Sequence, residues 1–193
     1  CHGTTEYLLD SNGNEREQAN YCYVPSTWAE NIVEQAEKDG LRLSYHTPYR
    51  LNIHRDEFCK LAWQTIQTVN PNINLPELAQ PFSDCDEDIV RQIAALGIVT
   101  GYEDGTFQPT RELSRQEAAV ILQRLYTVLY GKIEASPTLY ADNGSIGVWA
   151  KDSVYAMRQT GIMQGVGANR FDPKNGYTCE QSIITMLRMT QKA

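Results

Sequence analysis

Apolar residues recur at helical spacing along six stretches of the chain. Trp28, Ile32 and Ala36, then Ile89, Ile93 and Leu96, then Trp149, Val154 and Met157 each mark one face of a short helix. Longer stripes alternate with them: Phe58, Leu61, Ala62 and Ile66; Ala118, Ile121, Leu122 and Leu125; Ile183, Ile184 and Leu187. The pattern predicts helices over about 27–39, 55–69, 86–96, 115–130, 148–160 and 179–189. Gly40, Gly97 and Gly161 stand just past the short helices, where a left-handed C-cap favours glycine. Pro71, Pro76 and Pro137 follow the first two long ones. One helix pair cannot bury its own stripe, so the pairs are expected to pack together as one all-α domain.

The pairs are also copies of one another. Gly97-Ile98-Val99-Thr100-Gly101, Phe107-Gln108-Pro109 and Ser114-Arg115-Gln116-Glu117 reappear as Gly161-Ile162-Met163-Gln164-Gly165, Phe171-Asp172-Pro173 and Thr178-Cys179-Glu180-Gln181. Glycine to phenylalanine is ten positions in both copies, and phenylalanine to Ser/Thr is seven. A weaker first copy places Trp28 twelve residues before Gly40, as Trp149 precedes Gly161, and reaches His54-Arg55-Asp56-Glu57 through a loop three residues shorter. The predicted organisation is an arm over 1–26 and repeats over 27–78, 79–136 and 137–193.

Composition narrows the function. Of 193 residues, Lys+Arg number 17 and Asp+Glu 24, a net charge of −7. That balance argues against nucleic acid and against a polybasic membrane surface. The longest apolar run, 118–122, is far below the ~20 residues a membrane span needs. The five cysteines (Cys1, Cys22, Cys59, Cys85 and Cys179) include no CxxC, so no metal site is expected. The 102–107 loop lacks the ligand spacing of an EF-hand, and no cofactor is implied. There is no P-loop, Rossmann fingerprint or Gly-x-Ser-x-Gly, and no catalytic residue is assigned. The chain opens on Cys1 without Met, which reads as a processed chain or a region of a longer one, fused to an upstream domain.

Ser114-x-x-Glu117 and Thr178-x-x-Gln181 have the spacing of capping boxes, and Thr27-x-x-Glu30 looks like another. The cap has no need of Arg115. An arginine fork beside a helix N-terminus suits a carboxylate or phosphate. Arg115 is therefore the first ligand candidate, with Arg55 second.

Phe82-Ser83-Asp84, Leu96-Gly97-Ile98-Val99-Thr100-Gly101-Tyr102, Asp104-Gly105-Thr106-Phe107-Gln108-Pro109 and Leu113-Ser114-Arg115-Gln116-Glu117 resemble the S-layer homology (SLH) repeat, with a similar third copy and a degenerate first. The resemblance implies a surface-protein module of Gram-positive-type bacteria, three repeats packed as a pseudo-threefold bundle. It also implies a cell-wall or cell-surface location and no catalysis. The implied partner is a secondary cell-wall polysaccharide, often pyruvylated. The family's Thr-Arg-Ala-Glu motif uses its arginine for glycan, which supports Arg115 and Arg55 and places Asp84 and Gly101 in the ligand-binding set. Trp28 and Trp149 read either as core residues or as sugar-stacking surfaces. Cys85 and Cys179 replace a motif tryptophan and a motif arginine, so the resemblance suggests a disulfide closing a disused groove, with Cys22–Cys59 as the competing pair. A degenerate triplet serving as a structural or protein-contact domain of a larger secreted protein or enzyme is the alternative.

Overall fold

A computed structural model describes residues 7–9, 15–17, 23–43 and 47–192. Two three-residue strands, β1 (Tyr7–Leu9) and β2 (Glu15–Glu17), pair antiparallel in the arm. The rest is helical: α1 (Glu30–Lys38), α2 (Arg55–Val69), α3 (Asp88–Ala95), α4 (Arg115–Tyr130), α5 (Lys151–Gln159) and α6 (Cys179–Thr190). The class is all-α, as the periodicity predicts. The three C-cap glycines all have φ between 73° and 89°, a left-handed backbone.

Packing follows a cyclic rule. The first helix of each copy lies against the second helix of a neighbouring copy: α3 on α2, α5 on α4, and α1 on α6. The loops obey the same rule. The Arg55 and Asp56 amides donate to the Arg111 and Pro109 carbonyls, those of Arg115 and Gln116 to Asn175 and Pro173, and those of Cys179 and Glu180 to Leu51 and Tyr49. At the centre, Ile53 N–H donates to Tyr177 O, Tyr177 N–H to Leu113 O, and Leu113 N–H to Ile53 O, at 2.8, 2.9 and 3.1 Å. Three strand-like fragments, one from each copy, thus close a ring of hydrogen bonds. All three residues are sealed from solvent, so each bond satisfies groups that water cannot reach.

The core fills from the same directions. Phe107 and Phe171 fold their loops inward and are fully buried, each worth roughly 1.5–3 kcal/mol of transfer free energy. Tyr177 is fully buried as well, its hydroxyl donating to Thr185 Oγ1 at 2.9 Å, and burial pushes its pKa up to about 12.

Two expectations change here. Trp28 and Trp149 are not core residues: 58% and 61% of their surface is exposed. Both precede their helices, Trp28 in the turn before α1 and Trp149 in a 3-10 turn (Val148–Ala150), so they sit where the helix enters rather than on its buried stripe. The cysteines expected to pair do not. Cys85 and Cys179 are free buried thiols, and so is Cys59; Cys22 and Cys1 lie outside the described residues. Cys85 sits among Asp84, Asp56 and Glu87, whereas Cys179 opens α6 beside Glu57 and Glu180. Burial raises the Cys59 thiol and takes Cys179 to about 12, leaving neither as a thiolate at neutral pH.

Because every copy completes its neighbours, the copies are expected to unfold together. A chain ended at residue 136, lacking α5 and α6, should lose its cooperative thermal transition in far-UV circular dichroism. A sharp melt from that truncated chain would show that the first two copies suffice.

Candidate functional site

Arg55 and Arg115 occupy the first positions of α2 and α4, each behind a capping box. The Ser114 amide donates to Glu117 Oε2 at 2.9 Å, and the Thr178 amide to Gln181 Oε1 at 3.4 Å, as the spacing predicts. The first copy has its box at His54 and Glu57, which a search for Ser or Thr at the cap does not reveal. The box expected at Thr27 does not form: α1 starts at Glu30 behind Ala29, without a side-chain cap. The turn is held instead by Ser26, whose carbonyl accepts from the Ala29 and Glu30 amides.

These caps aim the arginines across copy boundaries. Arg55 donates through Nε to Phe107 O and through Nη2 to Thr100 O, both at 2.9 Å, and lies 4.5 Å from the Phe107 ring centre. Arg115 repeats this one copy later, Nε to Phe171 O and Nη2 to Gln164 O at 2.9 Å, with the Phe171 ring at 5.1 Å. Arg115 also donates to Gln181 Oε1 at 3.3 Å. Only 4% of Arg115 and 9% of Arg55 is exposed. Burial lowers the pKa of both guanidiniums, partly offset by Tyr102 for Arg55 and Tyr177 for Arg115, but arginine stays charged. Neither forms an ion pair among the described residues. Each is therefore a largely buried cation held chiefly by carbonyls. The arginine that the cap did not need thus has a structural role, fastening the next copy's loop.

Asp84 and Gly101, expected to meet ligand, also serve the loops. The Asp84 carboxylate accepts from the Phe107 and Gln108 amides at 2.7 and 2.8 Å, and Asp142 accepts from those of Phe171 and Asp172 at 2.9 and 2.8 Å. Gln108 and Asp172 have φ of 56° and 59°, a left-handed backbone these clamps hold in place. The Phe107 amide, with that of Gln108, keeps Asp84 below the ordinary carboxylate range. Desolvation alone would raise Asp142, but its two amides outweigh that. A Cβ on Gly101 would lie 2.6 Å from the Phe82 ring, so glycine there is a packing requirement.

Above Arg115 a groove of about 450 Å³ opens between α6, the third-copy loop and the start of the first copy. Trp28, Arg115, Gln164, Gly165, Gln181 and Arg188 are among its walls, and among the described residues no carboxylate is. It unites two of the sequence candidates, Trp28 and Arg115. Arg55, Trp149, Asp84 and Gly101 lie elsewhere; Gly101 lines a shallower depression with Tyr102 and Gln108. Arg188, missed in the sequence, donates to Ile162 O at 3.2 Å and remains half-exposed. Its signal is the stripe Gln181, Ile184, Thr185 and Arg188, which puts one polar-flanked face of α6 toward the groove.

The S-layer homology domain matches residues 83–119, in the second copy, and 144–176, in the third. An S-layer protein of Bacillus thuringiensis subsp. finitimus is 33% identical over 100 residues, 52% of this chain and 12% of that protein. An endoglucanase of Bacillus sp. (strain KSM-635) is 32% identical over 107 residues, 53% of this chain and 11% of that protein. The exoglucanase XynX of Acetivibrio thermocellus is 24% identical over 182 residues, 88% of this chain and 16% of that protein. The chain thus spans only 11–16% of the length of these relatives. It is an extracellular, cell-surface module. Among the described residues, no helix is long and apolar enough to cross a membrane.

Arg115→Ala should cost about 2–4 kcal/mol, since it leaves the buried Phe171 carbonyl without a donor and frees the Gln164 carbonyl beside it, and Arg115→Lys should restore little of it. Urea midpoints would measure both. The aspartate clamps carry a pH signature. Their folded pKa values lie below the ordinary 3.8, so their stabilisation is complete above about pH 4 and is lost as acid carries them through those lower values. Asp142→Asn should therefore lower Tm at pH 7, and the gap to the parent should close near pH 2.

Proposed function

We propose that the chain is a non-catalytic anchoring module that binds an anionic secondary cell-wall polysaccharide in the Trp28–Arg115–Arg188 groove. The observation that carries this reading is the charge of the groove. In a chain of net charge −7, the described residues that line it include two arginines and no carboxylate, and among them Arg115 has no counterion of its own. A carboxylate or other anionic substituent on a sugar would supply that counterion through charge-assisted hydrogen bonds. Trp28, more than half exposed at the rim, offers a face on which a sugar ring can stack. A pyruvyl ketal would satisfy the arginines, though any anionic sugar would serve. Relatives that include S-layer proteins and enzymes named as endoglucanase and exoglucanase fit a module carried by larger surface proteins.

One observation favours a second reading at one boundary. Where the start of α6 meets the first-copy loop at Leu51 and Tyr49, Cys179 stands at the arginine position and that loop is short, so this contact serves packing alone.

The test is co-sedimentation with bacterial wall sacculi before and after secondary polymers are chemically stripped. Binding should disappear on stripping. Trp28→Ala and Arg188→Gln, which leave the Arg115 contacts to Phe171 and Gln164 in place, should each weaken it about tenfold. Parent-like binding by both variants would rule out this groove.

A further inference from the structure

A second cavity, about 530 Å³, lies against the same stretch of the third-copy loop. Tyr140, Arg158, Gly167 and Asn169 line it together with Gln164 and Gly165, which also line the Arg115 groove. The two cavities are thus adjacent along one segment of backbone.

The second copy shows what this region needs for folding alone. There Phe82 packs on Phe107 with ring centres 5.1 Å apart, next to Gly101. In the third copy Tyr140 packs on Phe171 at 5.5 Å, next to Gly165, so the ring fills the same space. Tyr140 then adds a hydroxyl, which is buried and has no hydrogen-bond partner among the described residues, in a residue only 4% exposed. An unpaired hydroxyl is a cost that phenylalanine would avoid. The second addition falls at the same spot. Arg158 takes the place that Ala94 has three residues before the C-cap glycine, and its guanidinium lies 4.6 Å from the Tyr140 ring centre. Arg158 is exposed and makes no ion pair among the described residues, and Asn169 contributes an amide beside it, held by a bond from Nδ2 to Leu139 O. A hydroxyl without a partner and a cation without a counterion, both absent from the second copy, meet in one cavity.

We propose that this cavity is a second saccharide subsite, continuing the Arg115 groove across Gln164 and Gly165. Arg158 meets an anionic substituent of the next sugar, and the Tyr140 hydroxyl hydrogen-bonds to that sugar as the guanidinium shifts off the ring. The subsite rests on the polysaccharide reading above. Its consequence is a footprint longer than a single groove, read by the third copy on both sides of its loop.

The test uses the full chain and polysaccharide released from sacculi by mild acid, titrated calorimetrically against the parent, Tyr140→Phe, Arg158→Gln and, as groove reference, Trp28→Ala. Tyr140→Phe should keep or raise Tm, because the second copy already carries Phe82 there, yet weaken binding about three- to tenfold. Arg158→Gln should do the same. Polymer with its carboxyls reduced, and polymer with its phosphates removed, identify the anion: the one that abolishes the difference between parent and Arg158→Gln carried it. Parent-like affinity in both variants, with Trp28→Ala weakened, overturns the subsite and leaves the groove standing. A parent that does not bind the polysaccharide overturns both.

Discussion

Two buried guanidiniums, each reaching out of its own copy, hold the loops of this molecule in place. Arg55 supplies donors to carbonyls of the second-copy loop and Arg115 to those of the third. Each loop in turn presents an aromatic ring to the cation and a pair of amides to an aspartate. Left-handed residues at Gln108 and Asp172 are tolerable only within this framework. The loops in turn supply the carbonyls that receive the start of the helix carrying that arginine, and so the capping boxes, the central hydrogen-bond ring and the groove walls all depend on the exchange.

This exchange also reorganises the meaning of the sequence defects. Taken copy by copy, the chain shows two: a first repeat with a short loop and a third repeat lacking its arginine. In three dimensions they are one, because Cys179 faces the loop of the first copy through the Leu51 and Tyr49 carbonyls. Each change makes the other tolerable: with no cation to receive, that loop has no use for the Gly-Phe-Pro elements. The remaining two boundaries are whole. The polypeptide therefore carries two intact junctions, where a count of complete repeats finds one.

What was legible follows from which interactions are local. Helix starts at Arg115 and Cys179 were readable because a cap and a hydrophobic stripe both lie within a few residues of one another, and the start at Arg55 was readable from its stripe alone. The C-cap glycines were readable for the same reason. The exchange was not, since an arginine at a fixed offset looks alike whether it serves its own loop or the next. Trp28 and Trp149 illustrate a related failure: residue type suggests burial, but a position in the turn before a helix puts the ring outside. Arg188 was hidden because a basic residue in the last turn of a helix already has an ordinary explanation in the helix dipole. The groove electrostatics are likewise invisible to composition. A net charge of −7 repels an anionic polymer at a distance, yet screening confines that repulsion to ~8–10 Å, and among the described residues that line the groove only guanidiniums are charged.

Glu180 accepts from the Ser26 amide and hydroxyl, both at 2.8 Å, where α1 meets α6. The front of the helical body and its last helix are therefore joined at one seam, and it is the seam without an arginine. Ser26 and Glu180 thus close the helical body on itself, tying the turn before α1 to the start of α6 across 154 positions of sequence.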